Sequence, residues 1–236
     1  MNEFITVNDV EEMGRIGASI FADEIRKRPD LVLGLATGSS PVSLYQELIR
    51  LHREEGLDFS AVRSVNLDEY LGLPKNHPQS YRTFMNENLF NHINIDPENT
   101  YLPNGMPEDN DKELLLYDEL VDKLGGIDLQ LLGIGPNGHI GFNEPSMEFS
   151  SHTSIVPLTD ETIEANARFF ESGSEVPRKA ITLDIRHIMQ ARKIVLVATR
   201  NKEEILKKAV YENITPLVPA SVLQLHRDVT VIFSKG

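Results

Sequence analysis

The chain contains no cysteine. Disulfides, thiolate nucleophiles and cysteine-ligated zinc are therefore excluded. Its first stretch, MNEFITVNDVEEMGR, lacks a basic segment leading into an apolar core, so it does not read as a signal peptide. No apolar run approaches the length of a membrane span. Positive charge is in deficit: 23 Lys and Arg stand against 36 Asp and Glu, a formal net charge of -13. That balance argues against general binding to nucleic acid or anionic membranes, although a few placed cations can still build a local anion pocket. The seven histidines are scattered, with no H-x-x-x-H and no tight carboxylate cluster, so no metal site is expected. There is no G-x-x-x-x-G-K-[ST] loop, no internal repeat and no low-complexity tract. A cytoplasmic protein is expected.

What is present is ordinary for a globular chain: 236 residues, 25% charged and 40% hydrophobic, enough for one large α/β domain spanning 1–236. Short apolar runs alternate with amphipathic ones, the pattern of βαβ units around a mainly parallel sheet. A first helix is expected to start at an Asn8 cap, with Glu11 completing a capping box. LVLGLA, VRSVNL, IDLQLLGIG, KAITLDI, KIVLVAT and VTVIF read as strands. PVSLYQELIRLHREEG, SYRTFMNENLFNHI, ELLLYDELVDKL, ETIEANARFF and NKEEILKKAVYE read as helices.

Four chemically loaded segments fall just after expected strands: TGSS, Asp68, the 135–144 loop and Asn201-Lys202. In an open parallel sheet the carboxyl ends of the strands line the ligand crevice. TGSS, with Gly38, Ser39 and Ser40 before a Pro41 helix start, offers backbone N–H groups and a helix N-terminus to an anion; a plain turn with a serine cap explains it equally well. Lys202 at a helix start makes sense beside an anion, and Arg168 in ANARFF is a second candidate cation. Asp68 at a strand end can serve as a general base, or cap a turn.

GIGPNGHIGFNEP contains G-x-G-x-x-G at Gly133, Gly135 and Gly138. A dinucleotide fingerprint needs a helix starting within the glycines, and Pro136, Gly141 and Pro145 oppose one. An acid/base loop fits better. Asn137, His139 and Glu144 lie within eight residues, and a carboxylate can fix a histidine tautomer and stabilise its imidazolium.

LATGSSP, NLDEYLGL, HPQSY, GIGPNGHIGFNEP, NARFF and VPRKAIT together resemble the glucosamine-6-phosphate deaminase family in its short, non-allosteric form, over almost the whole chain. The resemblance implies a three-layer α/β/α fold with a modified Rossmann-like, mostly parallel sheet, in one deaminase/isomerase domain. It implies conversion of glucosamine 6-phosphate and water to fructose 6-phosphate and ammonia, with no metal and no cofactor. His139 then carries a proton between the sugar's O1 and O5 oxygens, and Asp68 moves one between C2 and C1. Glu144 is the carboxylate next to the histidine. Gly38, Ser39, Ser40, Arg168 and Lys202 hold the phosphate. Asn137 stands where many members carry Asp; it can orient a neighbour but adds no negative charge. Longer, hexameric members are activated by N-acetylglucosamine 6-phosphate through Ser, Arg and Lys residues, whose positions here hold Met147, Ser154 and Val156, so no such activation is expected and a monomer is favoured. Residues 159–179 form a lid in the family. Two competing readings are a 6-phosphogluconolactonase-like hydrolase, whose loop runs toward S-L-F-P rather than FNEP, and a non-catalytic sugar-phosphate sensor.

Overall fold

The structure is a computed structural model that describes residues 3–167, 170 and 176–236. Its elements in chain order are β1 (Glu3–Val7), α1 (Val10–Lys27), β2 (Val32–Leu35), α2 (Val42–Glu55), β3 (Arg63–Asn66), β4 (Asp68–Tyr70), α3 (Tyr81–Asn88), β5 (Thr100–Tyr101), α4 (Asn110–Lys123), β6 (Leu129–Leu132), β7 (Ser154–Pro157), α5 (Asp160–Ala167), β8 (Lys179–Thr182), α6 (Ile185–Gln190), β9 (Lys193–Thr199), α7 (Glu203–Tyr211) and β10 (Val229–Ser234). A seven-stranded sheet runs in the order β1-β10-β9-β6-β2-β3-β5, with every pairing parallel. Helices flank it. Strands β2, β6, β9 and β10 are mostly apolar and buried along nearly their whole length, with Gln130 and Thr230 among the polar exceptions, as suits a sheet covered on both faces.

Chain order reverses in the middle of this sheet. From β2 the chain proceeds to β3 and β5 on one side; from β6 it proceeds to β9 and β10 on the other. The loops leaving β2 and β6 therefore diverge, and a crevice opens between them at the carboxyl edge.

Two sequence expectations shift. The first helix starts one residue later, at an Asp9 cap whose carboxylate accepts the Glu12 N–H at 2.7 Å. Glu12, not Glu11, reaches back to accept the Asn8 N–H at 2.9 Å. Both Asn8 and Asp9 have a glutamate three residues on, so sequence spacing alone was degenerate. The preceding strand β1, which the sequence reading did not identify, ends at Val7, and the charged carboxylate of Asp9 is the stronger acceptor. The second shift concerns KAITLDI. Its strand, β8, lies outside the parallel sheet, in a small sheet ordered β4-β8-β7 with both pairings antiparallel.

Leu67 is the seam between the two sheets. Its N–H donates to the Leu35 carbonyl in the large sheet at 3.2 Å, and its own carbonyl accepts the Leu183 N–H at 2.7 Å. The chain then changes sheets, and Asp68 pairs with Thr182.

Candidate active site

A cavity of about 350 Å³ opens at the carboxyl edge, between the loops that follow β2, β3, β6 and β9. These four strands are contiguous in the order β9-β6-β2-β3, so each supplies one loop to one rim. The wall includes Thr37, Gly38, Ser39 and Ser40 from the first, Asp68 from the second, His139 from the third and Lys202 from the fourth. Of the sequence candidates, these six of nine line the space directly: Gly38, Ser39, Ser40, Asp68, His139 and Lys202. Glu144 and Asn137 stand behind the imidazole. Arg168 lies outside the described residues.

The turn after β2 is fixed from below. Tyr45, wholly buried on α2, donates its hydroxyl to the Ala36 carbonyl at 2.5 Å. Helix α2 begins directly beyond the turn, and α7 begins beside Lys202, so residues next to two helix N-termini line the cavity. Serine and threonine hydroxyls, a lysine and two positive dipole ends suit an oxyanion such as a phosphate.

Asp68 is 5% exposed. Burial, with the neighbouring charge of Glu69 adding to it, pushes its carboxyl up to about 8. The two adjacent carboxylates serve different ends. Glu69 turns away and accepts the backbone N–H groups of Tyr70 at 2.9 Å, Tyr81 at 2.8 Å and Arg82 at 3.0 Å. It thereby satisfies the open N-terminus of α3, alongside the Ser80 cap. The capping role that could explain Asp68 thus belongs to Glu69, and Asp68 is left at the cavity wall.

The loop after β6 is not helical, consistent with Pro136 and Gly141 in its sequence. The His139 carbonyl accepts the Gly135 N–H at 2.9 Å, which folds the imidazole back over Gly135. A Cβ on Gly135 would stand 2.2 Å from the ring, so only glycine permits this packing. The second glycine of the motif, Gly135, therefore serves close approach to a side chain, not to a pyrophosphate, whereas a Cβ on Gly133 would meet only Ser40 at an ordinary 3.8 Å. Farther along, Phe142 donates its N–H to Thr182 Oγ1 at 3.1 Å, and Asn143 Nδ2 donates to the Leu183 carbonyl at 2.8 Å. The small sheet that positions Asp68 therefore also anchors the histidine loop.

Behind the ring, Glu144 Oε2 lies 3.2 Å from His139 Nδ1 and accepts from Asn137 Nδ2 at 2.7 Å. Asn137 Oδ1 accepts the His139 backbone N–H at 3.2 Å. Asn137 thus reaches the carboxylate and the backbone. Burial pushes the Glu144 carboxyl up, but hydrogen bonds from His139, Thr162 and Asn137 outweigh this and hold it below the ordinary glutamate range. Glu144 is poised as an anion that orients the imidazole through Nδ1, leaving Nε2 for the cavity.

Tyr81 and Thr162 also line the cavity and were not singled out from the sequence. Tyr81 hydrogen-bonds the Tyr70 and Thr37 side chains and stacks on Phe142, with ring centroids 5.9 Å apart. Thr162 carries no local motif, and Tyr81 ends the HPQSY segment with no role assigned to it there; the packing of α3 and α5 over the cavity brings both in. Expectation also failed on acidic clustering. Asp118, Asp184 and His187 gather with ligand atoms within 4.8 Å of one another, from elements distant in sequence. Their contacts are internal: His187 Nδ1 bonds Asp184 at 2.6 Å, and Asp118 accepts the Thr153 N–H at 3.2 Å. None of the three lines the cavity.

With this geometry established, comparison with known proteins is decisive. Residues 10–232 match the sequence family of glucosamine-6-phosphate isomerases and 6-phosphogluconolactonases. The chain belongs to this family. A glucosamine-6-phosphate deaminase from Clostridium perfringens is 53% identical over 229 residues, 97% of this chain and 95% of that protein. One from a Thermoanaerobacter species is 52% identical over 236 residues, 100% of this chain and 93% of that protein. A solved structure of a monomeric glucosamine-6-phosphate deaminase superposes with a TM-score of 0.97 at 46% identity, covering 99% of this chain and 97% of that one. The 6-phosphogluconolactonase of Thermotoga maritima superposes with a TM-score of 0.77 at 18% identity, covering 98% of each chain, and shares the fold.

Proposed function

We propose that this protein is a glucosamine-6-phosphate deaminase, which converts glucosamine 6-phosphate and water to fructose 6-phosphate and ammonia. The observation that carries the reading is convergence: a buried carboxyl, an imidazole backed by a carboxylate, and an oxyanion cradle all open onto one cavity of sugar-phosphate size. The relatives at about half identity over nearly the full chain support the same reaction. The 6-phosphogluconolactonases support only the fold.

In this reading, the phosphate sits at Gly38, Ser39, Ser40 and Lys202, with Arg168 as a further cation. His139, oriented by Glu144, moves a proton from O1 to O5, and the ring opens. Asp68 in its ionised form then takes the proton from C2 while O1 takes one from solvent, giving an enolamine. Asp68 returns its proton to C1, which yields a protonated ketimine at C2. Water adds to C2, ammonia leaves, and a ketose remains. A remote dianion held at one end supplies the orientation that brings C2 to a single placed base. The protein is proposed to act as a monomer, in line with the monomeric relative.

A coupled assay for fructose 6-phosphate and ammonia, with Asp68→Asn as the control, tests the reaction. Turnover of glucosamine 6-phosphate that disappears in Asp68→Asn is expected. Hydrolysis of 6-phosphogluconolactone without ammonia release would transfer the chain to the lactonase side of its family. Tight binding without turnover would make it a sensor.

A further inference from the structure

Glu144 has two carboxylate oxygens, and they face different parts of the chain. Oε2 serves the histidine side, taking Asn137 and His139. Oε1 accepts Thr162 Oγ1 at 2.7 Å, from α5, 18 residues farther along. A threonine hydroxyl inside a helix commonly turns back to a carbonyl of the preceding turn. Here it leaves the helix for a carboxylate instead. A second hydroxyl directs it: Thr159 Oγ1 donates to Thr162 Oγ1 at 3.0 Å and accepts the Thr162 N–H at 3.3 Å. Because an ionised carboxylate only accepts, the single Thr162 proton must go to Glu144. Thr162 is 3% exposed and lines the substrate cavity.

We propose that Thr162 is a positioning residue of the reaction: its hydroxyl fixes the Glu144 carboxylate, and through it the imidazole of His139, from the helix that packs over the cavity. This rests on the deaminase reading for its chemistry. The terminal torsion of a glutamate is soft, so a carboxylate held at one oxygen can rotate out of line with the ring. Held at both, it cannot. The hydroxyl also stabilises the anionic form of Glu144, which is the form that orients a neutral imidazole and supports a protonated one. The contact links α5 to the acid/base pair, so any displacement of that helix reaches the chemistry directly.

The test compares Thr162→Val, Thr162→Ala and Thr162→Ser with the unaltered protein in the ammonia-release assay. Valine keeps the branched shape without the hydroxyl; serine keeps the hydroxyl without the methyl. A charge-assisted hydrogen bond lost from a catalytic pair predicts a fall in kcat of about tenfold for valine and alanine, with KM within about twofold. Serine retains kcat within about threefold. The Glu144 carboxyl titrates at higher pH in valine and alanine and stays in place in serine, read by a carbon-detected titration independent of turnover. Equal losses in all three variants, a change confined to KM, or an unmoved Glu144 titration would overturn the proposal. Failure of the unaltered protein to release ammonia would instead strike the functional reading, while the carboxyl titration would still report whether Thr162 holds Glu144.

Discussion

Asp68 and Glu69 are neighbours with opposite assignments, and the difference is one of satisfied hydrogen bonds. Glu69 has three backbone donors. Asp68 sits at the cavity, pushed up to about 8 chiefly by burial. A base must be ionised, so kcat/KM of the free protein is expected to rise as pH increases through about 8. Glu69→Gln removes the like charge and moves that rise to lower pH; an unmoved profile would assign the whole shift to burial. Asp68→Asn should reduce kcat on the order of 10³-fold, within the range for loss of a general base. The same substitution has a stability consequence. A carboxyl whose folded pKa is raised costs stability progressively as pH climbs above its unfolded value, and the full cost is present above the folded one. Asp68→Asn is therefore expected to raise Tm above pH 8, with no gain near pH 3; equal Tm values at pH 9 would contradict a buried, ionisable Asp68. Asn137 offers a second residue-scale test. It donates to Glu144 at 2.7 Å, so Asn137→Asp sets two carboxylates in contact. One of them must then hold a proton more tightly, and a carbon-detected titration of the Glu144 carboxyl should move upward. An unshifted titration would mean that the new carboxylate has swung away from Glu144.

At the scale of elements, the histidine loop is shaped by contacts that its glycines permit. Gly135→Ala places a Cβ 2.2 Å from the imidazole, so the ring must move away from its position between Glu144 and the cavity. A loss of kcat of at least about tenfold is expected, with a circular-dichroism spectrum like that of the parent; full activity would show that the ring can relocate without cost. The Asp184–His187 pair belongs to another junction, where α6 starts. Asp184 caps that helix, accepting the His187 N–H at 2.9 Å. Burial alone would lower the His187 pKa, but the hydrogen bond and charge of Asp184 outweigh it and raise it. Burial likewise pushes Asp184 up, and the bonds from His187 hold it below its usual range. The histidine's contribution is present at low pH and lost as pH rises through its raised pKa. The aspartate's is present at high pH and lost as pH falls through its lowered one. The pair stabilises in the window between, by about 2 kcal/mol for a charge-assisted bond. The Tm difference between the parent and His187→Gln should therefore shrink on going from pH 6 to pH 9. A difference that grows would reverse the sign of the coupling.

For the whole molecule, the absence of effector control is the main expectation. A second cavity of about 390 Å³ is lined by Ser154, Val156, Glu144 and Glu148 among others, with no Lys, Arg or His in its wall among the described residues. Met147, in the same segment, is 92% exposed. Two carboxylates without a cation repel a phosphate. Velocity is therefore expected to depend hyperbolically on glucosamine 6-phosphate, with no response to its N-acetylated analogue. Sigmoidal curves straightened by that analogue would refute this. Among the described residues, no helix is long and apolar enough to cross a membrane.

Much of the site was legible from residue order because its parts lie in short runs after apolar strands. Backbone geometry places such runs at one edge of a parallel sheet, and TGSS, Asp68, His139 and Lys202 follow from that alone. The strand type was legible for LVLGLA or KIVLVAT, where burial on both faces removes any alternation. What the sequence could not settle was partnership. KAITLDI has the composition of a strand whichever sheet it joins, and ETIEANARFF gives no sign that Thr162 will reach Glu144. Sheet membership, the seam at Leu67 and the Thr162 contact depend on which elements pack together, and packing is decided by burying apolar surface across the whole chain, not by any local pattern.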